Sequence, residues 1–501
     1  MDTLRRDPSA AAAEAHDLII VGGGIYGAMT ALEAARRGLR PLLLERDDYG
    51  GATSWNSHRI VHGGLRYLQH FDLNRFRTSV RERSWFLRHF PDRVEPLTCL
   101  MPLYGQGARR PSVLRVALLA NHLLSRDRND EVRADRRIES GGVMTALETR
   151  SLFPRVREEG LRGGALWYDA VMTDSQRLLI ETLRWASAYG ARCLNYVEAT
   201  RLRVEAGRVV GIEATDGVDG ATLLFDAAIV VNCAGPWSGR VAGAFDQPME
   251  ELFRPSLAFN LLFDRAPPAE VAIAVSAPGP GAHTWFLYPR NGRTYAGTAH
   301  VPCAKGTETA TPSRQQIDTA INDMNAAVPG LDLHRDQVIR VYSGLLPATK
   351  QGSTELTSKP LIHDHGANGG ARGLFSVSGV KYTTARDVAE KTLRRAFAGL
   401  GEIGEETGRP QGREIPAIGA AAEGDATNDL AEAVRRFADD EAVVHLDDLL
   451  LRRGDWGDDP RTLERTGQAV GEMLGWDEAR LGAELDRLAG LADAGSAGEH
   501  S

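Results

Sequence analysis

The sequence predicts an α/β protein: a nucleotide-type unit of strands ending in glycine turns, drawn from separated parts of the chain, and a helical tail. Three observations carry this prediction. Asp17–Val21 (DLIIV) runs into GGGIYG, then into the helix-patterned AMTALEAARRG and a second apolar run, LRPLLLE. Two more apolar runs end in glycine turns far along the chain, DAAIVVNCAG at 226–235 and GLFSVSGVKY at 373–382. After residue 425, apolar side chains recur at helical spacing in LAEAVRRFA, VVHLDDLLLRR and LERTGQAVGEMLGW.

Composition narrows the class. A chain of 501 residues has material for about three domains. The net charge of -8 argues against a nucleic-acid partner, whose footprint is basic. No run approaches the ~18 apolar residues that span a bilayer. Cys99, Cys193, Cys233 and Cys303 are widely spaced, with neither a C-x-x-C pair nor metal-ligand spacing. The N-terminal Ala run is broken by Glu14 and leads straight into a strand, so it does not read as a cleaved signal. A reducing cytoplasm is the expected setting.

In the first unit, Gly22, Gly24 and Gly27 fit G-x-G-x-x-G between a strand and a helix. The first glycine permits the tight turn, the second lets backbone approach a pyrophosphate, and the third allows close helix–strand packing. Free N–H groups at the helix start favour the phosphates. Glu45 ends the second strand, 18 residues after Gly27, where a carboxylate can accept both hydroxyls of a ribose. The hydroxyl- and glycine-rich stretch at 50–67, GGATSWNSHRIVHGGLRY, follows where a nicotinamide enzyme would place another crossover. Three separated segments converging on one long cofactor suit FAD.

At these residues the chain resembles the FAD-dependent glycerol-3-phosphate dehydrogenases, within the D-amino-acid-oxidase-like flavoproteins. The motifs are DLIIVGGGIYGA, TSWNSHRIVHGGLRYLQ, the block from WYDAVMTD to ARCLNY, VVNCAGPW and SGVKYTTARDVAEK, with a tail of similar style. The likeness runs from about residue 16 to 490. It implies a Rossmann-type FAD-binding domain with an inserted antiparallel substrate-domain sheet and a C-terminal α-helical cap domain. The oxidoreductase unit would span 16–395, with FAD-binding segments at about 16–80, 160–245 and 340–395. The substrate domain would take about 81–159 and 246–339. A Gly-, Glu- and Pro-rich linker at 396–424 would lead to helices at 425–495.

Site residues follow from the same resemblance. Cofactor contacts are implied at Gly22, Gly24, Gly27, Glu45, Arg46, Thr53, Ser54, Gly63, Gly64, Val197, Ala234, Gly235, Gly379, Lys381 and Thr383. Lys381 would face the flavin end that gains negative charge when a hydride arrives. His62, Arg66 and Tyr67 would border the substrate, with His62 the candidate base for the hydroxyl proton and Arg66 a candidate anion contact. The implied reaction passes the carbinol hydride of a small hydroxylated substrate to flavin N5, then electrons to quinone, another acceptor or oxygen.

Three substrate-side signatures depart from the resembled pattern. Leu346 stands where a G-V-R-P-L turn would carry arginine; Leu257 and Asn260 replace a lysine and a histidine; Ala299 and His300 replace part of a G-T-T-D-T turn. Lys359 takes the place of a second phosphate-binding arginine, in a chain with only five lysines among 59 basic residues. Arginine forks grip a dianion bidentately and Lys or Leu does not, so a changed substrate is expected unless Arg254, Lys350 or Arg66 compensates. His300 and Lys359 are then candidate pocket residues, with Arg254 and Tyr67. The run HTWFLYPRNGRTYAG reads as a hairpin on an Asn-Gly turn, with Trp285 and Tyr288 assigned to core. Residues 109–126 read as a basic-flanked apolar helix, assigned to packing, with peripheral contact at the inner face of a membrane as its alternative. A homodimer is a further candidate partner arrangement. Two other functions fit: an amine or amino-acid oxidase of the same superfamily, and a flavin-binding accessory protein without turnover.

Overall fold

The run DLIIV becomes the centre of a six-stranded sheet. Its strands, in spatial order, are Leu361–Asp364, Leu374–Ser378, Val230–Asn232, Leu18–Val21, Pro41–Leu44 and Arg192–Leu194. All neighbours are parallel except the antiparallel edge strand Leu361–Asp364. Strands buried on both faces need continuous apolar sequence, and Leu18, Ile19 and Ile20 are fully buried. Helix Ile25–Ala35 covers one face, between Ser175–Ala188 and Ala385–Ala396. The computed structural model describes residues 3–495 except 69–70, 106, 248, 250–251, 280, 309, 402–407, 411–414, 417–427, 455 and 457–458. Most of the expected 396–424 linker therefore lies outside the described residues.

The second sheet runs Val338–Pro347, Pro255–Phe263, Arg293–Pro302, Trp285–Arg290, Ala272–Val275, Val94–Leu103, Gly163–Met172 and Ile60–Val61, with Gly142–Met144 paired onto Gly163–Met172. It is antiparallel apart from the Ala272–Val275 pairing with Val94–Leu103. Three strands that fall in the segments assigned to FAD by resemblance, Ile60–Val61, Gly163–Met172 and Val338–Pro347, belong to this sheet instead. An apolar run announces a strand, but its pairing partners are set by distant segments. The hairpin forms as expected, with Arg290 opposite Arg293 and both Asn291 and Gly292 at positive φ. Trp285 and Tyr288 are buried core residues.

The tail folds into helices Asn428–Asp440, Pro460–Met473 and Glu478–Gly495 and a π-helical turn, Asp448–Arg453. Val434, Phe437, Leu446, Leu449, Leu450, Leu463, Val470 and Leu488 form its own apolar core. Buried ion pairs fasten it to the first sheet: Arg453 grips Asp48 through two hydrogen bonds of 2.6 and 2.8 Å, and Arg177 grips Glu441 at 2.6 and 2.9 Å.

Candidate functional site: a dinucleotide cavity with a carboxylate-held histidine

The glycine turn is a steric requirement. Gly22 has φ +108°, and a Cβ on it would lie 2.7 Å from the Cys233 carbonyl oxygen. A Cβ on Gly27 would lie 1.9 Å from the Gly22 carbonyl oxygen. Helix Ile25–Ala35 thus starts hard against the strand, capped at Gly24 by no side chain of its own. Ser54 accepts the Ile25 N–H at 2.9 Å and so sits at this helix start. Glu45 accepts the N–H groups of Gly23 (2.6 Å) and Asp47 (3.0 Å), and its burial raises its pKa. Thr53 donates to the Leu345 carbonyl at 3.1 Å, tying the loop to the second sheet.

Between the two sheets lies a cavity of about 690 Å³. Its lining runs from Val197 and Ala199, past Gly22, Gly24 and Ser54, to His62, Lys381 and His300. Among the described residues three histidines line it, and their surroundings separate them. Burial pushes His58 down to about 3, with the charge of His62 adding to the effect. Burial likewise pushes His300 down to about 4, with His283 contributing. Both are neutral, weak bases. His62 has half its side chain exposed and places Nδ1 3.1 Å from Asp169 Oδ2.

Asp169 is built to stay ionised. Burial alone raises its pKa; the His62 hydrogen bond and charge, Arg83 and the Gly63 N–H outweigh this and bring it to about 2. It also accepts the Gly63 N–H at 2.6 Å and the Trp167 indole N–H at 3.2 Å. A fixed carboxylate on Nδ1–H leaves neutral His62 with Nε2 as its acceptor, the tautomer a proton-abstracting base needs.

A family model described as FAD dependent oxidoreductase matches residues 17–386. The chain belongs to that family. A glycerol-3-phosphate dehydrogenase of Synechocystis sp. is 30% identical over 401 residues, covering 77% of this oxidoreductase and 70% of the relative. Glycerol-3-phosphate dehydrogenase 1 of Mycobacterium bovis is 32% identical over 418 residues, covering 81% and 77%. The solved glycerol-3-phosphate dehydrogenase of Bacillus halodurans, complexed with FAD, shares the fold with a TM-score of 0.74 at 20% identity, covering 100% of both chains. Glycine oxidase from Geobacillus kaustophilus shares it with a TM-score of 0.54 at 18% identity, covering 78% of this oxidoreductase and 99% of that enzyme.

The oxidoreductase is FAD-dependent, and its cavity fits that cofactor. The start of helix Ile25–Ala35 and Glu45 would hold the diphosphate and the ribose, and Arg46 stacks on Trp237 with its guanidinium carbon 4.4 Å from the ring centre. FAD bound there supplies the hydride acceptor. Of the residues implied by resemblance, Gly22, Gly24, Glu45, Arg46, Thr53, Ser54, His62, Val197, Ala234, Gly235, His300, Gly379, Lys381 and Thr383 line the cavity.

Others do not line it, among the described residues, and the reasons are local. Gly27 is packed against Gly22, Gly63 against Arg83, and Gly64, at φ +86°, against Ser79. Tyr67 lies under the Lys381 ammonium, 4.3 Å from Nζ to ring centre, and Arg66 beside it is exposed. Arg254 uses its carbonyl to accept the Ala348 N–H at 2.8 Å. Lys359 is exposed, within electrostatic range of Asp72. Sequence reasoning missed Asp169, His58 and Arg452. A lone carboxylate in the apolar strand LWYDAVM was the available signal for Asp169.

Lys381 carries a pH expectation. Loss of water around its ammonium lowers its pKa to about 8, with Arg66 adding repulsion. In the role the resemblance implies for Lys381, beside the flavin, the cation would be present below that value and lost above it, so turnover should fall as pH rises through about 8. In Lys381→Arg the guanidinium keeps its charge, and the alkaline fall moves beyond pH ~10. A pH–rate profile with the same alkaline limb in both proteins would remove Lys381 from this role.

Proposed function

We propose that the oxidoreductase takes a hydride from the hydroxyl-bearing carbon of a small substrate of glycerol-3-phosphate type, in a pocket that no longer clasps a phosphate dianion with two arginines. One observation supports this reading above others. His62, held by Asp169, shares the cavity with Leu346 at the position where the resemblance implies arginine. His62 would accept the hydroxyl proton while the adjoining carbon gives up its hydride, and Lys381 would stabilise the charge gained at the flavin end. Asn260 and His300 also line the cavity, and Asn260 is fixed by Thr298 (2.8 Å) and by the Asn56 carbonyl (3.1 Å). They make a neutral, hydrogen-bonding wall in place of a cationic one.

The test is anaerobic bleaching of the flavin by glycerol 3-phosphate, glycerol and other polyols or hydroxy acids. A neutral or monoanionic substrate is expected to bleach it better than glycerol 3-phosphate does. In Leu346→Arg, glycerol 3-phosphate should gain about 10-fold or more in apparent affinity through a charge-assisted contact. Efficient bleaching of the unaltered protein by glycerol 3-phosphate would end the changed-substrate reading, and bleaching by glycine or proline would favour amine oxidation.

Helix Pro111–Leu124 bears on the electron acceptor. It packs against the second sheet through Leu114 and Leu118, with other apolar side chains turned outward. Val116 is 69% exposed, Leu119 59% and Leu123 53%, beside Arg109, Arg110, Arg115 and Arg126. No helix among the described residues is long and apolar enough to cross a membrane. An apolar stripe with a basic border suits the surface of an anionic bilayer, where quinones dissolve. Co-sedimentation with anionic vesicles, lost in a Val116→Glu/Leu119→Glu variant, is the expected result; no binding by the unaltered protein would leave a soluble acceptor.

A further inference from the structure

We infer that the helical tail completes the cofactor site, with Arg452 contributing a guanidinium contact to the diphosphate of FAD. The inference rests on the FAD assignment and is independent of the substrate reading.

Arg452 and Arg453 are consecutive in the π-helical turn Asp448–Arg453, and both are buried. Their surroundings differ. Arg453 is satisfied by Asp48 and by the Glu441 carbonyl, at 2.6 to 3.0 Å. The Arg452 side chain is only 9% exposed, yet its nearest carboxylate oxygens, on Asp48 and Asp447, stand 3.6 and 3.8 Å away. Its Nε and one terminal nitrogen make no hydrogen bond. A buried guanidinium with unmet donors is costly unless something else accepts from them.

The direction of that unmet nitrogen is informative. It lies 3.0 Å from where a Cβ on Gly51 would be, so glycine at 51 is what gives it room. Gly51 lies in the loop that carries Thr53 and Ser54, and Ser54 marks the diphosphate-facing helix start. The guanidinium also lies over Trp55, 5.4 Å from its ring centre, which steadies its plane. Arg452, Gly51, Ser54 and Gly24 line one continuous cavity. Arg487 and Leu491 of the last helix line it too, with Arg487 held on Asp447 at 2.6 Å. Of the acids nearest Arg452, Asp48 is engaged by Arg453, and Asp447 gives Oδ1 to Arg487 while its Oδ2, 3.8 Å from Arg452, has no hydrogen-bond partner. Neither carboxylate comes within hydrogen-bond distance of the Arg452 fork, and a diphosphate reaching it from the cavity matches it in charge and geometry.

The test compares ADP with adenosine on flavin-free full-length protein. In Arg452→Gln, affinity for FAD and for ADP should fall about 10- to 100-fold while adenosine binds as before, and Arg452→Lys should recover part of the loss. Gly51→Ala, which crowds the same nitrogen without removing a charge, should weaken ADP more than adenosine. It keeps the question open to test if Arg452→Gln folds poorly. Equal weakening of ADP and adenosine, or unchanged ADP binding in both variants, would overturn the contact alone. Failure of the unaltered protein to take up FAD or ADP would overturn the cofactor assignment with it.

Discussion

Replacing His62 with Asn is expected to lower kcat by about 10²- to 10⁴-fold, the usual cost of losing a positioned base, with flavin content unchanged. The neighbouring histidines cannot take over, because burial holds His58 near 3 and His300 near 4. Asp169→Asn should lower kcat as well, through the imidazole, since its Oδ2 lies 3.1 Å from His62 Nδ1. An amide there offers Nδ1 either a donor or an acceptor, so the productive tautomer is no longer enforced. Asp169 also receives the Gly63 N–H at 2.6 Å and lies 3.5 Å from Arg83, so a loss of rate alone would not separate positioning from folding. The double variant does: Asp169→Asn added to His62→Asn should cost no further rate, because the carboxylate acts through the imidazole. A His62→Asn enzyme within threefold of the original rate would sink the assignment.

Which parts of this site could be read in the sequence follows from the range of the interactions. The glycine turn was legible because its constraints are local: Gly22, Gly24 and Gly27 are dictated by one strand–turn–helix crossing. The hairpin at Asn291 and Gly292 was legible for the same reason, since a two-residue turn needs positive φ at both positions. Asp169 acts on a histidine 107 residues away, and nothing in either segment announces the other. Arg452 reaches the cavity from a tail whose helical period reports only which side packs. Val338–Pro347, compared in the sequence with a G-V-R-P-L turn, is a strand of the second sheet, and its register with Pro255–Phe263 is tertiary. Helix Pro111–Leu124 shows the same limit: an apolar stripe does not say whether protein or lipid covers it.

Glu441→Gln should be strongly destabilising, costing about 3 kcal/mol, because it leaves buried Arg177 with Glu181, at 3.3 Å, as its remaining carboxylate. Arg177 and Glu441 are both fully buried and paired at 2.6 and 2.9 Å. Burial works against the Arg177 charge, and the Glu441 and Glu181 carboxylates together more than offset it, leaving its pKa raised. Removing only the Glu441 acid leaves the desolvation cost with only part of its compensation, whereas Arg177→Met/Glu441→Leu removes both charges and should cost far less. The adjoining Asp48–Arg453 pair adds a pH limit. Burial raises the Asp48 carboxyl, but Arg453, with Arg452 beside it, brings it below its ordinary value. Its stabilising contribution is therefore complete above about pH 4 and is lost as pH falls through the lowered folded-state value. Tail docking should loosen in acid before the parallel sheet does. Denaturant unfolding, read beside protease cleavage near residues 428–495, tests both claims. A Glu441→Gln protein within ~1 kcal/mol of the original, with an equally protected tail, would mean that apolar packing and not this ion pair fastens the tail to the FAD domain.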